Sequence, residues 1–586
     1  MSAPGRYVWV ALGAASIVFH LGLIFSGLVP NLLSRPLHML LALPWIFLFT
    51  AEGKWAQISG LILTLVGGAA TLYIALNESA LSDQYGFLSS PVQLLIAITL
   101  ILVTLEMARR AVGWPLPLVA ALALLYGLLG QYLPGEFGHP GIPIESFLGN
   151  LTIAEGGLWG KLTGVSVSIV AVFVIMGAVL NSGEAGQGFM NLATAAAGRL
   201  KGGAAKVSTL SSALFGSISG SASANVASTG AITLPAMTRL GYPKALAGAV
   251  EAVASSGGQI MPPLMGAGAF VMVELTGIPY TSIMAAAVLP AILYFMTVWF
   301  GINAFARRFK LKGLPADQQP TRKDVIITSA FFAVPFLILL ERMFVGGMTP
   351  QYAASVAILA AFALLFIDGK LRFDIRKTQD RIAQACLNTG KQVAMIASII
   401  LCASLIIGVL AATGLGVKIT SLILSGSGEM LWPALLLTAG ACLILGMEVP
   451  TTAAYVICIS VAGPALQKLG LAPLQAHLFV FWFALLSTIT PPVCGAVFIA
   501  AGMVGENWLK VSLYAMALGL GLYIIPLSII ANPDLIALTE TPLTALLQFA
   551  KVGICLGAVS YGVIAPLNTY LRLVLVLSGL GGIFFL

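Results

Sequence analysis

The chain has 586 residues, of which 59% are hydrophobic and only 9% charged, and its mean hydropathy is +1.00. Soluble globular proteins carry about 25% charged residues, so this composition excludes an ordinary soluble domain. The formal net charge of +8 resides mainly in short basic loops, as the positive-inside bias produces, and does not indicate a nucleic-acid partner. Apolar segments long enough for a hydrocarbon core of about 30 Å recur along nearly the whole chain, which predicts an all-α polytopic membrane protein in a lipid bilayer.

Charged loops give the predicted helices an orientation. Arg109 and Arg110 mark the cytoplasmic side and Glu78 and Asp83 the outside, whereas Arg35 is an exception to this pattern. Residues 207–240 begin and end beside basic residues, so this segment is expected to enter and leave on one face, as a re-entrant hairpin. The other crossings of the first half are expected near residues 8–29, 38–52, 56–77, 93–108, 114–133, 164–183 and 281–303.

The sequence repeats itself at a shift of 229 to 230 residues. The passage "PPLMGA" at 262–267 matches "PPVCGA" at 491–496, and Gly216 matches Gly446. The first copy is expected to start outside and the second inside, which predicts an inverted-topology repeat. Broken helices in corresponding positions of two inverted halves point to the midplane binding site of a secondary transporter.

This repeat defines the predicted domain organisation. Each copy is expected to hold one re-entrant hairpin and one broken helix, and the remaining helices form a scaffold. The divisions are 1–110 (N-terminal scaffold resembling a small subunit), 111–163 (connecting helix and external segment), 164–305 (first repeat, hairpin 207–240, broken helix 245–272), 306–390 (cytoplasmic loops and connecting scaffold helices), 391–530 (second repeat, hairpin about 430–470, broken helix 474–503) and 531–586 (C-terminal helices).

The double prolines predict that each helix break exposes backbone carbonyl oxygens to which an ion can bind. Proline lacks an N–H and crowds the carbonyl four residues earlier, so the prolines at 262–263 free the carbonyls of Gly258 and Gln259. Those at 491–492 free the carbonyls of Ser487 and Thr488 in the same way. A free carbonyl in hydrocarbon costs several kcal/mol unless it is buried in protein or bound, and a dehydrated cation is a suitable partner. Close helix packing is the alternative explanation for the small residues of the hairpins.

Carboxylates inside apolar segments are functional candidates. Glu251 lies two helical turns before the first break, and Glu448 lies in the second hairpin tip. Either could bind a proton or a cation, whereas Glu274 is expected at the outer interface. The four histidines show no clustering in the sequence, and no metal site or catalytic dyad is predicted.

These motifs resemble the membrane component of tripartite ATP-independent periplasmic (TRAP) transporters, and most closely the TAXI subclass, in which the small and large membrane subunits are fused. The resemblance rests on "SSALFGSISGSASANVASTGAITLPAM", "GMEVPTTAAYV" and "LSTITPPV". It implies a multi-pass inner-membrane importer with an elevator mechanism, not an enzyme and without a cofactor. A periplasmic TAXI-type binding protein would deliver a small organic anion, typically a carboxylate such as a dicarboxylate or an amino acid. The membrane component would act as a monomer.

In this family sodium lies between a hairpin tip and the neighbouring broken helix. Carried over to this sequence, the cation ligands are Ser217, Ser219, Asn225 and Gly258 in the first half and Gly446, Thr451, Thr488 and Thr490 in the second. The expected substrate-binding residues are Ser221, Ser223, Gly257, Gln259, Thr452, Pro262 and Pro491. The resemblance implies sodium as the coupling ion. Glu448 stands where the subclass usually has a glycine, and because this added carboxylate could bind a proton, proton coupling is the alternative. The alternative function is an ion and organic-anion exchanger of similar architecture that needs no binding protein.

Overall fold

The computed structural model describes residues 3–446 and 449–585. In this part of the chain the structure is helical, and the β contact it contains is an isolated bridge between Ile367 and Phe373. Eleven of the described helical segments are long and apolar enough to cross a membrane. The composition-based prediction of an all-α polytopic protein is therefore confirmed.

The N-terminal helices form a group with its own apolar core. Their bounds are α1 (Ala3–Ser26), α2 (Asn31–Pro44), α3 (Lys54–Leu76), α4 (Glu78–Ser82), α5 (Pro91–Val112), α6 (Pro115–Leu129) and α7 (Ile144–Thr152). Ser90 and Pro91 start α5 as expected of a cap, because the Ser90 hydroxyl accepts a hydrogen bond from the N–H of Gln93 (3.3 Å). Trp45, Phe47 and Phe147 are buried in this core, which also takes in one face of a long central helix.

The first repeat occupies the next helices. They are α8 (Lys161–Val165), α9 (Ala171–Ser182), α10 (Ala185–Ala197), α11 (Gly203–Ser219), α12 (Ala222–Arg239), α13 (Lys244–Gly257), α14 (Ala267–Thr276) and α15 (Tyr280–Arg308), with a π-helical turn at Ser166–Val170 between α8 and α9. Helices α11 and α12 pack together and are joined at Gly220, whose φ of +61° suits glycine, and Ser221, which caps α12. This helix pair, which we call the first hairpin, covers the segment 207–240 and starts four residues earlier than predicted. That it enters and leaves on one face of the membrane stays a prediction.

The second repeat follows two connecting helices. The bounds are α16 (Arg322–Phe344), α17 (Pro350–Leu364), α18 (Ile375–Thr413), α19 (Leu415–Gly426), α20 (Leu431–Gly446), α21 (Thr451–Lys468), α22 (Pro473–Leu486), α23 (Gly495–Val504), α24 (Trp508–Leu518), α25 (Leu520–Ala531), α26 (Pro542–Ile564) and α27 (Thr569–Phe584). The domain boundary placed at 390–391 lies inside α18, which is continuous because Asp374 caps its start and no proline interrupts it. Helix α18 packs against α1, α2, α5 and α6 and thereby joins the N-terminal group to the second repeat.

The helix bounds reproduce the repeat found in the sequence. Helices α12 and α21 begin 229 residues apart (451 − 222), as do α13 and α22 (473 − 244). The two helix breaks also correspond: a 3-10 turn and an irregular stretch separate α13 from α14, and residues 487–494 separate α22 from α23. Both double prolines therefore interrupt a helix, as predicted from their chemistry.

Candidate functional site

The two hairpin turns and the two helix breaks meet around one cavity of about 840 Å³. The α11–α12 turn contributes residues 219–224, and the start of α21 contributes residues 449–452. The breaks contribute Gln259, Leu264, Met265 and Ala267 from the first repeat, and Ser487 with Thr488 from the second. Faces of α9 and α18 close the remaining sides. The repeat thus brings all four of its irregular segments to one place.

Four helix N-termini border this cavity. Helices α12, α14, α21 and α23 begin at Ala222, Ala267, Thr451 and Gly495, and all four of these residues line the wall. The first N–H groups of a helix lack partners within the helix, and its N-terminus carries a partial positive charge. None of the described residues that line the cavity has a charged side chain. The wall can therefore receive an anion without a basic side chain.

In the first half, the hairpin touches the break through glycines. An added Cβ at Gly216 would lie 2.4 Å from the Cα of Gly258, so the two backbones approach as closely as glycine permits. The buried Asn225 side chain lies beside this contact and donates to the carbonyls of Ser212 (2.8 Å) and Ser255 (3.5 Å). Backbone oxygens of α11 and α13 and an amide of α12 thus converge within one small region.

The second half repeats this contact with different side chains. A Cβ at Gly446 would lie 2.9 Å from the Oγ of Ser487, and these two positions match Gly216 and Gly258 in the repeat. The hydroxyl of Thr488, in the same break, lies within hydrogen-bonding distance of the carbonyl of Leu485 (2.7 Å) and of the hydroxyl of Ser256 (2.8 Å). The Ser256 contact joins the second break to the last turn of α13, next to the first break.

The structure separates the predicted cation ligands into two sets. Asn225, Gly258 and Gly446 take part in the tip-to-break contacts, and Ser219, Thr451 and Thr488 line the cavity beside them. Two others point elsewhere. The hydroxyl of Ser217 donates to the carbonyl of Leu214 in its own helix (2.7 Å), and that of Thr490 bonds to the hydroxyl of Tyr523 in α25 (2.6 Å).

The predicted substrate residues are divided in the same way. Ser221, Ser223, Gln259 and Thr452 line the cavity. Gly257 instead faces α15, because a Cβ there would lie 2.1 Å from the ring of Tyr294. Pro262 and Pro491 lie in the breaks but outside the cavity wall, where they shape the chain without lining the space.

Glu251 lies away from the cavity, in a fully buried cluster of hydroxyl groups. Helices α11, α12 and α13 surround its carboxylate. The hydroxyls that donate to it are those of Ser208 (2.8 Å), Ser212 (3.2 Å), Ser255 (3.3 Å), Thr229 and Thr233. Such a cluster ties the first hairpin to the first broken helix. The other carboxylate singled out from the sequence, Glu448, lies outside the described residues.

Sequence reasoning missed the cluster, although a signal was present. The polar residues come in pairs four apart, which share one helix face: 208 with 212, 229 with 233, and 251 with 255.

The expectation that no histidines cluster is wrong for His20 and His38, which are buried and hydrogen-bonded to each other (2.8 Å). His38 also bonds to the hydroxyl of Ser166 at the π-turn (3.0 Å), so this pair joins α1 and α2 to the first repeat.

Residues 99–543 match the model of the family described as "Tripartite ATP-independent periplasmic transporter, DctM component". The chain belongs to this family. It is accordingly a multi-pass protein of the inner membrane, and its eleven candidate membrane helices agree with that location. The match begins within α5, so most of the N-terminal helices precede it.

Curated members of the family are similar over most of their length. The C4-dicarboxylate TRAP transporter large permease protein DctM of Pseudomonas aeruginosa is 27% identical over 57% of this chain and 77% of its own. The isethionate TRAP transporter permease protein DctMQ of Oleidesulfovibrio alaskensis is 25% identical over 73% of this chain and 69% of its own. The 2,3-diketo-L-gulonate TRAP transporter large permease protein YiaN of Escherichia coli is 24% identical over 58% and 78%.

Proposed function

We propose that the protein is a cation-coupled importer of a small organic anion, delivered by a periplasmic substrate-binding protein. The observation that carries this proposal is the single cavity where two hairpin turns, two helix breaks and four helix N-termini meet. Helix N-termini favour a carboxylate, and freed backbone and hydroxyl oxygens favour a cation. The names of the relatives, which cover C4-dicarboxylates, isethionate and 2,3-diketo-L-gulonate, support small oxygen-rich acids as substrates.

Sodium is the coupling ion that we propose, bound at each contact between a hairpin turn and a break. The oxygens near the Gly216–Gly258 contact and those of Ser487 and Thr488 near Gly446 are its proposed ligands. A proton is the alternative. It would bind a carboxylate, and Glu251 is the described candidate, although its five hydroxyl donors also suit a purely structural ionic cluster.

The transport movement that we propose is an elevator. The re-entrant hairpins and broken helices would move together against the N-terminal and connecting helices.

Two observations support fusion of a small subunit of the TAXI kind to the large one. The family match starts only at residue 99, and helices α2 and α3 before it contribute buried residues to an apolar core that they share with α5, α7 and one face of α18. The partner would then be a TAXI-type binding protein.

Uptake by proteoliposomes tests the proposal. The purified protein is reconstituted with its cognate binding protein, and uptake of radiolabelled succinate, isethionate, 2-oxoglutarate and glutamate is measured under separate sodium and proton gradients. We expect accumulation of at least one acid that requires both the binding protein and inward sodium. Accumulation without the binding protein would establish the exchanger instead. If sodium and proton gradients both leave uptake unchanged, cation coupling is wrong.

A further inference from the structure

Three amide side chains line the cavity on the wall formed by α9 and α18. Asn181 extends from the end of α9, and Asn388 and Gln392 extend from α18. The last two are four residues apart and therefore share one helix face. Their neighbours on the cavity side of α18 are apolar, so these three side chains supply the polar character of that wall.

The amides lie near the basic face of the protein. Glu184, three residues after Asn181, forms a salt bridge with Arg381, which also donates to the carbonyl of Ile367 (2.7 Å). Arg381 precedes Asn388 by seven residues, which is two helical turns or about 10 Å along α18. Residues 370–381 carry five lysines and arginines, and such basic segments remain in the cytoplasm. The cavity therefore extends from the hairpin turns toward the cytoplasmic side.

One of these amides has an open hydrogen-bonding position. The Oδ1 atom of Asn181 is buried and has no partner among the described residues. A buried amide oxygen without a partner costs about 1–3 kcal/mol, so a group in the cavity is needed to satisfy it. The cavity has room for that group, since 840 Å³ equals the volume of about 28 water molecules at roughly 30 Å³ each. A small acid held at the hairpin turns leaves space for a second position.

We propose that Asn181, Asn388 and Gln392 form a second substrate-binding position, on the cytoplasmic side of the cavity. It takes an oxygen-rich organic acid as it leaves the hairpin turns: the amide N–H groups donate to carboxylate, carbonyl or hydroxyl oxygens, and the amide oxygen of Asn181 accepts from a hydroxyl or a water of hydration. This position rests on the proposed transport function and adds a binding step on the release side.

Trans-inhibition measures binding on this side directly. Binding protein added outside the proteoliposomes drives only molecules whose cytoplasmic face is toward the lumen, so acid loaded in the lumen meets the proposed position. The probe is whichever of succinate, isethionate, 2-oxoglutarate or glutamate the wild type takes up. For the variant that combines Asn388→Ala with Gln392→Ala, we expect the lumenal concentration that halves uptake to rise about tenfold, since each lost hydrogen bond costs roughly 0.5–1.5 kcal/mol.

A charge variant and a matched control separate binding from folding. Asn388→Asp keeps the side-chain shape and adds a negative charge, so it should weaken lumenal inhibition more than alanine does. Gln379→Glu adds the same charge at an exposed position outside the cavity, nine residues earlier on α18, and should behave as wild type. The external sodium concentration that gives half-maximal uptake should stay unchanged in all three.

The outcomes are distinct. Unchanged lumenal inhibition in the alanine and aspartate variants overturns the proposal, and so does a parallel change in sodium dependence, which would mean that the amides act on the hairpin-turn site. Failure of the wild type to take up any of the four acids with its binding protein would instead count against the proposed function.

Discussion

The contact between Gly216 and Gly258 permits a quantitative test of the cation site that we propose in the first half. In Gly216→Ala the new Cβ would lie 2.4 Å from the Cα of Gly258 and 2.6 Å from the Nδ2 of Asn225. Ordinary van der Waals contact begins at 3.4 Å, so hairpin and break must separate by about 1 Å (3.4 − 2.4). Hard cations hold their oxygen ligands to within a few tenths of an ångström, so a shift of this size removes a ligand.

Overpacking of a well-packed contact costs about 1–3 kcal/mol, and 1.4 kcal/mol corresponds to a factor of ten in an equilibrium constant. We therefore expect the sodium concentration for half-maximal uptake to rise about tenfold or more in Gly216→Ala, and likewise in Gly258→Ala. The control is Gly440→Ala in α20, because a Cβ at Gly440 meets nothing within 4 Å. A Gly216→Ala protein that melts like the wild type and keeps its sodium dependence would refute the role of this contact.

Four further substitutions test the remaining assignments. Glu251→Gln replaces a carboxylate oxygen by an NH₂ group, which then faces the hydroxyl groups that donate to Glu251. We therefore expect a lower melting temperature and an unchanged sodium dependence of uptake. If the variant instead loses an effect of the proton gradient on uptake, Glu251 is the proton-binding residue. Thr488→Ala should weaken sodium dependence several-fold in uptake assays, whereas Thr490→Ala, whose hydroxyl bonds to Tyr523, should lower thermal stability alone. For Glu448→Gly, sodium and proton dependence identical to wild type would dismiss a coupling role for that carboxylate.

The helices and their breaks could be predicted because they follow from local rules. Apolar length gives the spans, and a double proline interrupts a helix wherever it occurs. The repeat of the double proline at a shift of 229 was visible without any structure, and the helix bounds reproduce it. The continuity of α18 through residue 390 could not be predicted from loop charge, since that signal locates loops and says little about where a helix ends.

The directions of individual side chains were harder to predict. Thr488 and Thr490 both flank the second break in the sequence, yet the former lines the cavity and the latter faces α25. Gly257 and Gly258 are adjacent, yet Gly257 faces Tyr294 and Gly258 faces Gly216. In both cases the direction depends on the register of an irregular backbone and on the partner helix, which a single sequence does not contain. The i, i+4 polar pairs around Glu251, by contrast, could have been found by counting.

The two repeats share their backbone contacts and differ in their polar chemistry. At a shift of 229 the position of Glu251 holds Val480, and those of Thr229 and Thr233 hold Cys458 and Ala462, so the second half lacks the equivalent cluster. The approach of a tip glycine to the break of its own repeat is common to both halves, at Gly216 and at Gly446. A feature that both halves keep suits a task that both perform, such as holding a cation near the midplane. A buried carboxylate that only one half keeps suits a task specific to that half, and the tie between the first hairpin and its broken helix is such a task.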